Sequence, residues 1–173
     1  MMWDSLEQKF MTPDHYKAFG RIVQAFVSVE TVYSHIIMRT LKVEDGAGMF
    51  MLSGYGYDGL KNIIKSMISE GNLSEAEAKE VLDLMDKVND KSNLRNNVAH
   101  CPWKPGRRPN SVKPLVLKTK GTLKILGIEH NEKDWTPPEL EAEAGEILKR
   151  CLAVAQFFAD RGVVLGNTEE HDD

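Results

Sequence analysis

The stretch Ser74–His100, SEAEAKEVLDLMDKVNDKSNLRNNVAH, decides how this chain folds. Ser74-Glu75-Ala76-Glu77 is a capping box, in which a serine hydroxyl and a glutamate three residues later satisfy each other's backbone donors at a helix start. Behind it Ala78, Val81, Leu82, Met85 and Val88 recur at the spacing of one helical face. Nothing interrupts the pattern until Pro102, so the spacing predicts one helix from residue 75 through Arg95 to the end of the stretch. On that helix Met85, Val88, Ser92, Arg95, Asn96 and Ala99 follow in steps of one, three or four and share a face. An apolar stripe that turns polar without leaving its face lines a cleft or an interface, because against aliphatic neighbours its polar groups would go unsatisfied.

Helical spacing recurs on both sides. From Pro13 to about Arg39 a long helix is marked by Phe19, Ile22, Val23, Phe26, Val29, Tyr33, Ile36 and Ile37, with Thr12 or Asp14 to cap it. Residues 43–59 hold five glycines and read as a loop. A shorter helix with Leu60, Ile63, Ile64, Met67 and Ile68 ends near Gly71. Segments 112–118 and 122–128, rich in Val, Leu and Ile, flank Thr119-Lys120-Gly121 and predict a β-hairpin. Thr136-Pro137-Pro138-Glu139 opens a last long helix. Its buried face is expected to hold Leu140, Ala144, Ile147, Leu148, Cys151, Leu152, Ala155 and Phe158, with Gly162 just past its end. These elements predict a mainly α fold, a four-helix up-and-down bundle with a small β-hairpin inserted before the last helix. One domain spans 1–166, and 167–173 is an acidic tail read as disordered.

With 173 residues, 42% hydrophobic and 28% charged, the chain has the make-up of a soluble globular domain with a real core. No apolar run approaches the ~18 residues of a membrane span. Met1–Glu7 lacks the basic and apolar regions of a secretory signal, so a cytoplasmic location and no membrane partner are expected. Cys101 and Cys151 have no metal-ligand spacing and suit a reducing compartment as unpaired thiols. A net charge of −4 argues against a nucleic-acid partner until its distribution is considered. From Lys91 to Ile128 there is no acidic residue, while Lys91, Arg95, Lys104, Arg107, Arg108, Lys113, Lys118, Lys120 and Lys124 fall in that span. A basic segment of this kind is the footprint of a phosphate chain.

Arg95-Asn96-Asn97-Val98-Ala99-His100 lies inside it. A guanidinium stays charged at cellular pH and offers forked donors to phosphate oxygens. An imidazole titrates near neutrality and can take or give a proton. Phosphodiester cleavage uses both functions. Asn96 and His100 are four apart and so neighbours on a helix. Glu30 falls within the apolar stripe of the first helix and needs a partner, for which Arg95 is a candidate. Lys104, Arg107 and Arg108, in the Pro/Gly loop after the motif, are candidates for binding substrate phosphates.

Arg-Asn-x-x-x-His at the end of a late helix in a small helical bundle resembles the HEPN superfamily (higher eukaryotes and prokaryotes nucleotide-binding). Arg95, Asn96 and His100 match its signature place for place, and Leu94–Trp103 resembles many bacterial and phage members. The resemblance implies a metal-independent endoribonuclease that needs no cofactor, in which a 2′-hydroxyl attacks the adjacent phosphate to leave a cyclic phosphate. His100 would be the general acid or base, Arg95 would bind the phosphate and Asn96 would position the histidine or a phosphate oxygen. Apart from the resemblance, the place of Glu30 in the stripe gives it either the role of orienting Arg95 or a water, or a seam-edge position bonded to Tyr33 or a lysine or reaching solvent. The family commonly forms homodimers in which two motifs make one composite site, and its members include toxins, held by an antitoxin or inhibitor, and anti-phage defence factors. Members paired with nucleotidyltransferase antitoxins carry a modified tyrosine two residues after the histidine. Here that position is Pro102, so that partner is not expected.

A different class, a non-catalytic helical module that binds a protein partner or a nucleotide, would use the same face. Gly54-Tyr55-Gly56-Tyr57-Asp58-Gly59 spells G-x-G-x-x-G but follows a predicted helix instead of a strand, so it reads as a connection. His15 and His35 read as surface or edge residues. His130, His171 and the cysteines show no zinc spacing.

Overall fold

The computed structural model describes residues 10–71, 73–115, 117–120, 124–128 and 133–162, with the strands at 117–120 and 124–128 described by their backbone. The predicted tail at 167–173, Met1–Glu7, Gly121, His130 and His171 lie outside the described residues. The chain is mainly helical. In order it forms α1 (Pro13–Leu41), α2 (Asp45–Leu52), α3 (Tyr57–Glu70), α4 (Glu75–Asn89) and α5 (Ser92–His100). Strands β1 (Trp103–Pro105), β2 (Val112–Pro114), β3 (Leu117–Lys120) and β4 (Lys124–Ile128) precede α6 (Pro137–Ala159). The described residues divide into two compact units, 10–25 with 91–146 and 26–90 with 147–162, so α1 and α6 contribute residues to both.

In the first unit, Ala18, Ile22 and Ala25 of α1 are buried, as are Leu94, Val112, Leu140 and Ala144. Thr12 starts α1, its carbonyl accepting from the His15 and Tyr16 amides. His15 is not the surface residue its sequence context suggests: it is fully buried, and its Nδ1 accepts the Thr12 amide at 3.1 Å. It occupies the place that a Glu or Gln holds in a capping box, which is why a ring in the first turn of a helix turns inward. At the start of α6 the usual residue serves: Glu139 accepts from the Thr136 amide at 2.8 Å and from its hydroxyl at 3.0 Å.

The strands differ from the predicted hairpin. β3 and β4 pair antiparallel, but 112–114 leaves that pairing and joins β1, with Trp103 opposite Pro114, Lys104 opposite Lys113 and Pro105 opposite Val112. The free edge of Val112 is closed by a two-bond bridge to Trp135, at 2.8 and 2.7 Å. Trp103 fixes the arrangement by packing on Phe19 at 4.5 Å between ring centroids. A strand this short, ending in proline, carries too little pattern to disclose its partner.

In the second unit, the face of α1 carrying Phe26, Val29, Tyr33, Ile36 and Ile37 is buried, as are Leu60 and Ile64 of α3 and Val81, Met85 and Val88 of α4. Tyr57 lies 5.4 Å from Phe26, edge to face, and 5.8 Å from Tyr33. The predicted capping box at Ser74/Glu77 opens α4. From α6 the unit takes Ile147, Cys151, Val154, Phe157 and Phe158. Leu148 and Leu152, expected on that buried face, are 40% and 66% exposed, because the buried positions 140, 144, 147, 151, 154 and 158 step past them by one residue.

Two further expectations fail for local reasons. The glycine-rich run contains a helix, α2, in which Gly48 is buried; a Cβ there would lie 2.4 Å from Sδ of Met38, so this glycine serves close approach and not a turn. The helix predicted from 75 to 100 breaks at Asp90 and Lys91, where Lys91 has φ −91 and ψ −7. Asp90, Ser92 and Asn93 are weak helix formers, which is why the helix ends there and restarts.

Candidate functional site

The Arg-Asn-x-x-x-His motif occupies α5, nine residues long and anchored by buried Leu94. Arg95 is half-buried, and its Nη1 donates to Asn96 Oδ1 at 3.1 Å. Asn96, Ala99 and His100 are exposed. Arg95 and His100 are five positions apart, about 140° around a helix, so they do not share a face by themselves. Asn96 is the link: it holds the guanidinium on one side and neighbours His100, one turn on, at the other.

The two asparagines divide the work. Asn97 is half-buried and finishes the helix: its carbonyl accepts from the Cys101 amide at 3.0 Å and from the Trp103 indole at 3.2 Å, and its side chain lies 3.5 Å from the Cys101 sulfur. Cys101 then turns extended, with φ −97 and ψ 140, as a residue before proline must. His100 is thus the last helical residue, presented on a rigidly ended helix, and its ring has no hydrogen-bond partner among the described residues. Nothing in adjacent identical residues tells which asparagine faces inward; Trp103 decides it.

The basic residues after the motif separate in the same way. Arg108 is engaged by Glu139 at 2.6 Å and by the Asp134 carbonyl at 2.5 Å. That contact holds the Glu139 carboxyl down to about 2, chiefly through the Arg108 hydrogen bond. Arg108 therefore fastens the 106–111 turn to the start of α6. The turn is tied further by the Asp134 carboxylate, which accepts the Arg107 amide, and by Ser111 Oγ, which accepts the Arg108 amide at 3.1 Å. Gly106 is required there, since a Cβ would meet Ser111 Oγ at 2.1 Å. The Arg107 side chain is exposed and Lys104 is half-buried on β1.

Glu30 lies in the other unit, where its carboxylate accepts the Tyr57 amide at 3.1 Å and so caps α3, whose N-cap residue is the side-chainless Gly56. This is a structural duty that the sequence did not signal. The G-x-G-x-x-G run, expected to be a connection throughout, joins α2 to α3 only through residues 54–56, and residues 57–59 already belong to the first turn of α3. Cys101 and Cys151 are free thiols, and burial pushes the Cys151 thiol up to about 11. No three His, Cys, Asp or Glu side chains cluster as metal ligands among the described residues. No helix among them is long and apolar enough to cross a membrane.

Comparison with protein-family models, curated proteins and solved structures finds no match.

Proposed function

We propose that the chain is a metal-independent endoribonuclease of the HEPN type, acting as a homodimer on RNA. The observation that carries this reading is the group at the end of α5 in which half-buried Arg95 is held by exposed Asn96 beside exposed His100, inside a segment without acidic side chains. In this reading α1, α3, α4 and α6 are the four helices of the bundle, and two copies of α5 face each other across a two-fold axis. One His100 takes the 2′-hydroxyl proton as the oxygen attacks phosphorus, and the P–O5′ bond breaks. The partner subunit's His100 gives a proton to the departing 5′ oxygen. Arg95 carries the charge that builds on the non-bridging oxygens, and Asn96 keeps the guanidinium and imidazole in register. Such an activity suits a toxin or defence factor held by an inhibitor.

The test is cleavage of a labelled RNA by purified protein in the presence of EDTA. His100→Ala is expected to lower the rate at least about 100-fold, in the range of lost acid–base catalysis, with the melting temperature unchanged because the ring is exposed. Products should carry a cyclic phosphate and a 5′-hydroxyl. Cleavage by His100→Ala at the wild-type rate, or no cleavage by wild type, removes the enzyme assignment.

A further inference from the structure

The β1/β2 ribbon sets Lys104 directly opposite Lys113. Hydrogen bonds at both ends of the ladder, Gly106 to Ser111 at 2.8 Å and Leu115 to Pro102 at 2.7 Å, fix its alternation. By that alternation Lys104 and Lys113 form a hydrogen-bonded pair, with Cα atoms about 5.5 Å apart. Pro105 and Pro114 fall at the non-bonded positions, where a missing N–H costs nothing. Opposed residues point to the same face, so the ladder holds two ammonium-bearing side chains side by side.

Like charges directly opposite on a ribbon are destabilising. Lys113 is only 9% exposed as a residue, so its stem is packed while its ammonium stays accessible beside that of Lys104. Neither lysine has a carboxylate within ion-pair distance among the described residues, whereas Lys61, Lys65 and Lys91 each have one. Nor does the surrounding sequence supply one, since it is free of acidic residues from 91 to 128. The pair is therefore positioned to take an anion from outside the chain. Lys104, half-buried, leaves the pair open to it.

We infer that Lys104 and Lys113 form a cradle for a backbone phosphate of RNA, one that neighbours the phosphate presented to His100. Lys104 is four residues beyond His100, at most about 14 Å of extended chain, so both phosphates belong to one strand. The inference rests on the ribonuclease reading for the identity of the anion. Two ammonium groups are point charges that grip non-bridging oxygens without reading bases, so the cradle holds the strand whatever its sequence. Arg108, held by Glu139, takes no part.

The test is fluorescence anisotropy with a 2′-O-methyl oligonucleotide, which cannot be cleaved, across a salt series. The Lys104→Gln/Lys113→Gln double variant is expected to bind about 10-fold more weakly, and its salt slope should shrink by about 1–2. The Lys104→Arg/Lys113→Arg variant should restore both. On cleavable RNA the Gln variant should raise KM and leave kcat alone. If Lys113→Gln prevents folding by circular dichroism, Lys104→Gln alone must still lower the slope by about 1. A folded Gln variant with wild-type affinity and slope overturns the cradle while leaving the nuclease standing. Lysine-dependent binding without any cleavage keeps the cradle and removes the nuclease. Wild-type protein that binds no RNA overturns both.

Discussion

His15 shows how one residue couples local structure to pH. Its buried ring accepts the Thr12 amide through Nδ1, which must therefore be unprotonated. Burial lowers its pKa below 6.5, against smaller opposing effects of the Asn110 backbone and Asp14. The unfolded chain thus binds the proton more readily than the folded one, and stability rises with pH between the two values. Its contribution is complete above about pH 6.5 and is lost as pH falls below that. Melting temperature should drop between pH 7.5 and pH 5, and His15→Gln, which keeps the capping contact but cannot titrate, should flatten that slope. An identical slope in the variant would locate the titration elsewhere. Neither the burial nor the role is legible from Asp14-His15-Tyr16, because a histidine in a first helical turn normally faces water.

At the scale of elements, the end of α1 carries a correctable strain. The Lys42 amide donates to Arg39 and the Val43 amide to Met38, the bonding of a Schellman close, with Lys42 at φ 54. That left-handed position favours glycine, so Lys42→Gly is expected to stabilise the protein by about 1 kcal/mol in urea denaturation. Gly48→Ala should act in the opposite direction. Its helix-propensity gain of about 1 kcal/mol meets an overpacking cost of about 1–3 kcal/mol against Met38, and a net loss is expected. A gain on denaturation would mean that Met38 moves aside freely. The absence of a glycine at 42 and its presence at 48 also explain the misreading of 43–59: the residues that usually punctuate a chain stand here in the wrong places. The long helices were legible because their apolar spacing runs over many turns. The break between α4 and α5 was not, since Asp90-Lys91-Ser92 contains neither proline nor glycine.

At the scale of the whole molecule, charge and assembly matter most. The net charge is −4, yet the described residues of the acid-free stretch 91–128 belong to the unit that also contains α5. If two copies complete one catalytic site, cleavage per subunit should fall steeply on dilution through the concentration at which analytical ultracentrifugation shows the dimer dissociating. A constant specific rate through that transition would make each subunit self-sufficient. The sequence by itself determined the helical character of the chain, the starts of α1, α4 and α6, and the presence of Arg95, Asn96 and His100 at a helix end. Those features are local, set by side-chain spacing and capping over a few turns. Only the tertiary structure decided which asparagine faces outward, that Arg108 is already spent on Glu139 and Glu30 on Tyr57, and that Lys113 lies beside Lys104. Each depends on residues brought together from distant parts of the chain, for which periodicity carries no signal.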